Sequence, residues 1–188
     1  MGAILVLAMI AIGVAATWVV GLYNGLRKTV NSCSESWADL QTELKRRYDL
    51  IPRLVEIVKG YAGYEQGILD RVLQARELAQ NNTGSPTEQS IDENLLSRSL
   101  GQLLVLVQKF PDLKANRNFS QLQSELVNTE DRIQRARRFY NANVRELNNR
   151  VDLFPSSLFA SAMGIGKREY FEIDEAEVGD APPIDFNT

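Results

Sequence analysis

The chain has 188 residues and a formal net charge of -3, and it contains no histidine and a single cysteine. The absence of histidine excludes Ser-His and Cys-His nucleophile pairs, histidine-based zinc sites and the Glu-x-x-His motif of di-iron bundles. Because one cysteine cannot form an intrachain disulfide, Cys33 is typical of a reducing compartment. We therefore expect a non-enzymatic protein with no metal site and no cofactor. The alternative is an enzyme that uses carboxylates or a lone Lys.

The first predicted element is a helix long enough to cross a membrane. From Gly2 to Leu26 no side chain carries a charge, and Ile, Leu, Val, Ala and Met dominate. A spanning helix needs about 20 such residues, so we predict a transmembrane anchor over residues 1–26. A cleaved signal peptide is disfavoured, because no Lys or Arg precedes the run and because the run is longer than an h-region. The remaining alternative is a core helix of a soluble domain.

Basic residues directly after the anchor predict its orientation. Arg27 and Lys28 follow the span, and the positive-inside rule places such residues in the cytoplasm. We therefore predict a single-pass protein of the cell's inner membrane, with its N-terminus outside and its C-terminal domain in the cytoplasm. Arg27 and Lys28 are then expected to contact the membrane surface.

Small residues recur at every fourth position along one face of the predicted anchor. They are Gly13, Thr17, Gly21 and Gly25. Such a stripe lets two membrane helices approach closely, so we predict a self-association face and a homo-oligomer. The alternative is that small residues are simply common in membrane helices.

The first two segments after the anchor are predicted to be amphipathic helices. Apolar residues three and four positions apart between Val30 and Gly60 indicate one helix, with a kink near Pro52. Glycines within Lys59–Gly67 predict a break. A second amphipathic segment follows over residues 68–79.

A second basic group lies within the first of these helices, at Lys45, Arg46 and Arg47. We predict that it belongs to a solvated helix face, as most charge runs do. The alternative is a patch that binds lipid headgroups or a protein partner.

Capping signals mark the start of the third helix. Ser85 is the predicted N-cap, Pro86 occupies the first helical position, and Glu88 completes a capping box. The apolar stripe continues to Phe110, so we predict that the helix ends at Pro111.

The last long helix carries a heptad seam. Its predicted N-cap is Asn116 or Asn118, and from Phe119 apolar residues alternate steps of three and four. Polar residues stand on this seam at Thr129, Asn143 and Arg150. We therefore predict either buried polar layers or a shift of the seam toward Val144 and Val151.

Two blocks of this chain resemble the bacterial LemA family. The first is Arg-Arg-Tyr-Asp-Leu-Ile-Pro-Arg-Leu-Val-Glu-Ile-Val-Lys-Gly-Tyr-Ala-Gly-Tyr over residues 46–64, preceded by Tyr23-Asn24 and Trp37. The second, more specific block comprises residues 118–126, 129–133 and 136–141, with Phe154-Pro155 after them. The chain departs from the family pattern at Arg53, where Asn is usual, and at Tyr64, where His or a similar residue is usual.

The resemblance extends over residues 20–172 and implies an architecture more than a chemistry. It implies a membrane-anchored, antiparallel four-helix bundle with its N-terminus outside. Some relatives are associated with shaping or organising internal membranes. The family pattern has no established catalytic or ligand residues, so none are transferred to this chain.

The residues after Pro155 predict a short amphipathic helix between Ser156 and Ile165. If four helices run up and down, the chain returns toward the bilayer here, and Phe159 and Met163 contact the membrane surface. The alternative is that this helix packs against the end of the bundle. Tyr170 and Phe171 are expected to dock similarly.

We thus predict an all-α protein with three parts: a transmembrane anchor over residues 1–26, a cytoplasmic antiparallel up-and-down four-helix bundle over 27–171, and an acidic disordered tail over 172–188.

The expected function is a membrane-anchored scaffold or adaptor that self-associates or recruits partners, and that organises or remodels membrane. Its expected partners are the lipid bilayer, a second copy of itself and an unidentified membrane or cytoplasmic protein. Acidic neighbours break up the arginines of residues 132–150, so no nucleic-acid partner is expected. The alternative is a ligand-binding or sensory module that holds a small molecule between helices, near Pro52 and the polar residues Asn143 and Arg150.

Overall fold

A computed structural model describes residues 1–60 and 66–173 of the chain. Within these ranges the structure consists of helices and connecting turns, without strands, which confirms the predicted all-α class. The helices are α1 (Gly2–Lys59), α2 (Gln66–Asn81), α3 (Pro86–Val107), α4 (Pro111–Lys114), α5 (Arg117–Asp152) and α6 (Ser156–Ala162). Tyr64 and residues 174–188 of the predicted tail lie outside the described residues.

The predicted anchor and the first amphipathic helix form one continuous helix. α1 has 58 residues and contains Pro52 in its interior. A proline inside a helix has no N–H for the carbonyl four residues earlier, here that of Tyr48. Arg76 replaces the missing donor, because its Nε lies 2.7 Å from the Tyr48 carbonyl oxygen. The helix ends at Lys59, where the glycine cluster begins, so the predicted break after this residue is confirmed.

Packing divides the chain into two compact units. Unit 1 comprises Met1–Leu40 and Ala136–Glu169, and unit 2 comprises the described residues of 41–135 together with residues 170–173. Helices α1 and α5 each supply residues to both units. The predicted domain boundaries after residues 26 and 171 stay predictions.

In unit 1, α1 and α5 run antiparallel. The Trp37 and Tyr140 rings lie 5.0 Å apart between centroids, with a tilt of 48° between their planes. Further toward the N-terminus of α1, the Asn143 side chain donates a hydrogen bond of 3.4 Å to the Ser32 carbonyl. Residues thus pair in opposite order along the two helices. The buried side chains of α1 and α5 between them are Leu26, Thr29, Cys33, Ser36, Leu40, Arg137, Tyr140, Val144 and Leu147.

In unit 2, α2 and α3 form a helical hairpin whose turn follows the predicted capping pattern. The Ser85 side chain accepts from the Glu88 backbone N–H, and the Glu88 carboxylate accepts from the Ser85 N–H at 2.8 Å. A side chain at Gly84 would displace the Glu88 carboxylate from the capping box, because that carboxylate occupies the place where a Cβ would stand. Asn82 adds a hydrogen bond of 2.6 Å to Asp92 across the turn. The predicted capping box is therefore confirmed.

The third helix ends earlier than predicted. α3 stops at Val107, and Pro111 begins the short helix α4 instead of ending α3. The expectation that the helical stripe reaches Phe110 was wrong, because the N–H groups of Lys109 and Phe110 bond three residues back, to Leu106 and Val107. Such short-range bonds tighten the last turn of a helix and end it.

The buried face of α5 passes through Val144 instead of Asn143, which is the shift of the seam predicted from its polar residues. Asn116 is the cap, since its Oδ1 accepts from the N–H groups of Asn118 at 2.9 Å and Phe119 at 3.1 Å. Val144 is fully buried whereas Asn143 is only half-buried. Thr129 stays in the core and satisfies its hydroxyl by donating to the Glu125 carbonyl at 2.8 Å.

The register of α5 generates a stability prediction. Val144→Ala removes two methyl groups from a fully buried position and is expected to lower the free energy of unfolding by about 2 kcal/mol. The matched control is Val127→Ala on the same helix, where the side chain is 53% exposed and the expected change is about 0.5 kcal/mol or less. Urea unfolding of the full chain in detergent, followed by circular dichroism, measures both. Equal costs at the two positions would contradict this register.

Candidate functional site

The N-terminal part of α1 has the features of a membrane anchor. Among the described residues, α1 contains the one stretch that is long and apolar enough to cross a membrane, and none of that stretch is buried. Every residue from Met1 to Gly21 is exposed, and the first buried side chain along the chain is Leu26, at 1% exposure. Packing thus begins at the last residue of the predicted anchor. The alternative of a soluble core helix disagrees with this exposure, since a core helix would be covered by the rest of the chain.

The four residues of the predicted self-association face do not share one environment. Gly13 and Gly21 have open space where a Cβ would stand, and the Thr17 hydroxyl is satisfied within its own helix by the Gly13 and Val14 carbonyls. Gly25 differs, because the Arg150 Nη1 of α5 lies 3.0 Å from its would-be Cβ position. The part of the stripe open to another helix therefore ends at Gly21.

The residues predicted to contact the membrane surface fall into two groups. Arg27 and Lys28 are both exposed at the end of the apolar stretch, and the Arg27 guanidinium lies 5.8 Å from the centre of the Tyr23 ring. This distance is typical of a cation–π contact, and Tyr favours the headgroup level of a bilayer. Phe159 and Met163 are only half-buried on and just after α6.

A buried charge cluster in unit 2 was missed at the level of the sequence. Arg47 was predicted to lie on a solvated face, and this was wrong: its side chain has 0% exposure, whereas Lys45 and Arg46 are exposed. The reason is spacing, because Arg47 stands three residues after Leu44 and four before Ile51, both of which are core residues. The same spacing is the signal that would have revealed it.

Arg47 joins α1 to two other helices of unit 2. Its Nη2 donates to the Glu93 carboxylate on α3. Its Nη1 lies 2.5 Å from Glu130 Oε1 on α5 and 3.3 Å from the Ser97 hydroxyl on α3. Tyr48, the next residue on α1, donates its hydroxyl proton to the same Glu93 carboxylate. A guanidinium and a phenol thus share one buried carboxylate, whose exposure is 1%.

The chemistry of this cluster is pairing of charges. Within residues 1–60 and 66–173, no three acidic, thiol or imidazole side chains converge as a metal site would require. The Arg47 Nε is buried without an acceptor, while its two terminal nitrogens are both bound. Because the positive charge is held between two carboxylates and the hydroxyls act as donor and acceptor, the arrangement fixes α1, α3 and the N-terminal part of α5 to one another.

Burial keeps the two core tyrosines of the described chain protonated. It raises the pKa of Tyr48 to about 12, against the opposing charge of Arg47 and with a smaller raising effect of Asp92. Burial also raises the pKa of Tyr140 to about 12, although Arg168 opposes it. Both phenols therefore act as hydrogen-bond donors at neutral pH: Tyr48 to Glu93, and Tyr140 to the Glu169 carbonyl at 2.9 Å. Burial likewise raises the pKa of the Cys33 thiol, which disfavours the reactive thiolate.

These features define a class of protein: an all-helical chain that begins with an exposed apolar helix of spanning length and continues into packed helices held by capping and by a buried ion cluster. Residues 36–186 match the sequence model of the LemA family. The chain belongs to the LemA family, which confirms the resemblance found in its sequence.

Curated relatives from three bacteria align with most of the chain. The chain is 24% identical to Protein LemA of Metamycoplasma hominis over 169 residues, which cover 90% of this chain and 77% of that protein. It is 23% identical to Magnetosome protein MamQ of Magnetospirillum gryphiswaldense over 207 residues, covering 97% of this chain and 74% of the relative. Magnetosome protein MamQ 2 of Paramagnetospirillum magneticum is 21% identical over 207 residues, with coverage of 97% and 75%.

Removal of Arg47 tests the role of the cluster. Arg47→Ala leaves the buried Glu93 carboxylate without its cation and is expected to cost about 3–5 kcal/mol of unfolding free energy. Arg46→Ala, at the exposed neighbouring position, is expected to change it by about 0.5 kcal/mol or less. The double variant Arg47→Leu with Glu93→Leu removes both buried charges and should recover most of the loss. Chemical unfolding of the full chain measures all three, and a loss in the double variant as large as in Arg47→Ala would contradict the pairing.

Stability in alkali tests the Tyr48 hydrogen bond. The unfolded phenol loses its proton near pH 10 and the folded one near pH 12, so between these values the unfolded state binds fewer protons and stability falls as pH rises. The slope contributed by Tyr48 is at most about 1.4 kcal/mol per pH unit. Tyr48→Phe removes this contribution. It should be less stable than the parent at neutral pH, because Glu93 loses a donor, and the gap should narrow at about pH 11. A gap that is independent of pH would contradict the assignment.

Proposed function

We propose that this chain is a non-enzymatic, single-pass scaffold or adaptor of the inner membrane, with its N-terminus outside and its packed helices in the cytoplasm. The observation that carries the proposal is the boundary at Leu26, where an entirely exposed apolar helix continues without a break into a packed one. An apolar helix of this length is stable in the hydrocarbon core of a bilayer and unfavourable in water.

Charge supports the proposed orientation. Arg27 and Lys28 are exposed directly beyond the apolar stretch, so both can reach the anionic headgroups of a cytoplasmic leaflet. Arg27 is also held near Tyr23, an aromatic residue at the same end of the stretch. An aromatic ring and basic side chains at one end are the arrangement expected for the cytoplasmic interface.

Self-association is proposed to use Gly13, Thr17 and Gly21. Thr17 satisfies its hydroxyl inside its own helix, and the two glycines have no neighbour within reach of a Cβ. A second helix could therefore approach this face closely without leaving a polar group unsatisfied. Because Arg150 of the same chain already lies at Gly25, we restrict the proposed contact to the first three residues.

The process served by the scaffold is proposed to be the organisation or remodelling of membrane. Two of the aligned relatives are named magnetosome proteins, and the family resemblance points toward internal membranes. The ion cluster around Arg47 supports a scaffold over a catalyst, because the guanidinium is bound by the carboxylates of Glu93 and Glu130 and holds helices together.

The ligand-binding alternative draws less support from the described residues. The polar groups that a small molecule would use are engaged within the chain. The Tyr48 carbonyl beside Pro52 accepts from Arg76, Asn143 donates to the Ser32 carbonyl, and Arg150 bonds Glu146 at 2.7 Å. A ligand at these positions would have to displace hydrogen bonds that already exist.

Cross-linking in membranes tests self-association. Gly21→Leu fills the open face and should abolish cross-linked dimers of the full chain, because the helices can no longer approach closely. The control is Val20→Leu, which adds bulk at the neighbouring exposed position on a different side of the helix. Carbonate-washed membranes must retain both variants, since an integral helix resists this wash. Equal dimer yields would contradict the proposed face, and loss of the protein in the wash would contradict the anchor.

A further inference from the structure

Unit 1 contains a segment without charge that directly follows α5. From Leu153 to Gly166 no side chain is ionisable as an acid or a base, and the segment is bounded by Asp152 and Lys167. The Lys167 Nζ lies 2.7 Å from the Asp152 Oδ2, so the two ends of the segment meet. We refer to residues 153–166 as the tip segment.

The tip segment starts at the level where the apolar part of α1 ends. Along the antiparallel pair, Tyr140 contacts Trp37, Asn143 contacts Ser32 and Arg150 lies at Gly25. Each step toward the end of α5 is therefore a step toward the anchor. The Leu153 N–H still donates to the Asn149 carbonyl at 2.9 Å, so Leu153 continues the turn of α5. It lies beyond Gly25, on the side of the predicted span.

The fold holds the tip segment together while leaving three of its large apolar side chains exposed. Ala160 of α6 is 1% exposed. After α6 the chain turns at Gly164, which has a positive φ of 64°, and the Ile165 N–H donates to the Ala160 carbonyl at 2.9 Å. The exposed apolar side chains of the segment are Leu153 at 63%, Phe154 at 79% and Leu158 at 63%.

We propose that Leu153, Phe154 and Leu158 insert into the interface of the bilayer that α1 spans. The proposal rests on the anchoring proposed above and adds a second contact with the same lipid surface. A hydrophobic group at the level of a membrane interface is buried by lipid there, whereas the same group in water is an exposed apolar patch. The position of α5's end at the level of Gly25, next to the exposed apolar part of α1, is what identifies lipid as the occupant.

Charge around the tip segment agrees with this occupant. Arg27 and Lys28 are exposed at the end of the apolar stretch, and the Lys167 side chain is 58% exposed at the base of the tip. Lys167 is paired with Asp152, so Arg27 and Lys28 are the cations that we propose to meet headgroup phosphates, while Leu153 lies beyond Gly25 on the side of the span. Exposed apolar side chains close to basic residues are the pattern of an interfacial membrane contact.

The structure changes which residues make the proposed contact. The sequence predicted that Phe159 and Met163 make this contact, yet both are half-buried. Leu153, Phe154 and Leu158 expose more apolar surface that lipid could cover. With one attachment through α1 and a second through the tip segment, unit 1 would be restrained from rotating about the axis of α1. This restraint would give a scaffold a defined face toward the membrane surface.

A lipid-quenching experiment on the full chain tests the proposal. In a Cys33→Ala background, Phe154→Cys is labelled with the environment-sensitive dye NBD and reconstituted into vesicles of equal parts phosphatidylcholine and phosphatidylglycerol. The matched control is Phe139→Cys, an α5 position in the same unit that is 59% exposed and lies beside the Trp37 contact, away from the anchor. Leu158→Cys is a second test position.

We expect the dye at residue 154, and that at 158, to shift its emission to the blue and to lose fluorescence when lipids carrying a shallow doxyl quencher are included. The dye at residue 139 should respond to aqueous iodide instead. Quenching of the 154 and 158 dyes by iodide alone would overturn the proposal, because the tip would then lie in water. Protection of both dyes from iodide and from doxyl lipid would also overturn it, since protein would then cover the tip.

The same vesicles separate this inference from the proposed function. If carbonate removes the labelled chain from the vesicles, the anchor fails and both proposals fall. If the chain stays in the vesicles while the 154 dye remains accessible to iodide alone, the anchor stands and only the tip contact is lost. If the 154 dye is quenched by lipid in a variant that gives no cross-linked dimers, the tip contact stands without self-association.

Discussion

The structure depends on a single helix, α1, whose first part is apolar and exposed and whose second part packs against other helices. The first part of α1 has no neighbour in the chain, and the part from Leu26 onward buries side chains against its unit. Because backbone groups in a helix bond within the segment, the helix can leave lipid and enter a packed unit without unsatisfied donors. Because α1 is continuous, its backbone hydrogen bonding stays the same along its whole length. Only the side chains differ between the exposed apolar part and the packed part.

The buried cluster shows how the packed helices of unit 2 avoid sliding past one another. Apolar side chains tolerate small shifts along a helix pair, whereas Arg47 must meet Glu93 and Glu130 at fixed positions on α3 and α5. Burying these charges has a desolvation cost, so the cluster contributes less to net stability than to the choice of one arrangement. Tyr48 adds to this by using its hydroxyl on the same carboxylate, and Arg76 caps the carbonyl that Pro52 leaves without a donor.

Local chemistry explains which features the sequence predicted correctly. The capping box at Ser85 and Glu88 and the cap at Asn116 involve neighbours within three residues, so their residue types are sufficient to identify them. The helix end at Lys59 is likewise a property of a short stretch. The all-α class follows from these local signals together with apolar spacing.

The features that were missed depend on partners far away in the chain. Arg47 and Glu93 are separated by 46 positions in the sequence. The residues next to Arg47 therefore do not indicate which carboxylate it binds. The charge of Arg47 favours a solvated position, whereas its spacing from Leu44 favours the buried face of α1. The choice of Val144 over Asn143 was also left open by the sequence, because a heptad pattern with polar interruptions fits two registers until the facing helix is known.

The antiparallel packing of α1 and α5 in unit 1 brings distant parts of the chain close to the predicted anchor. Antiparallel pairing with α1 returns the end of α5 to the level of Gly25, so a helix that begins far along the chain ends beside the anchor. Arg150 then covers Gly25, which removes this residue from the surface that another helix could reach. An ion pair between Asp152 and Lys167 joins the two ends of the tip segment, so its uncharged residues form a closed loop. Intramolecular packing thereby separates the two surfaces that we propose for the membrane: the small-residue face of α1 for another helix, and the bulky apolar side chains beyond α5 for lipid.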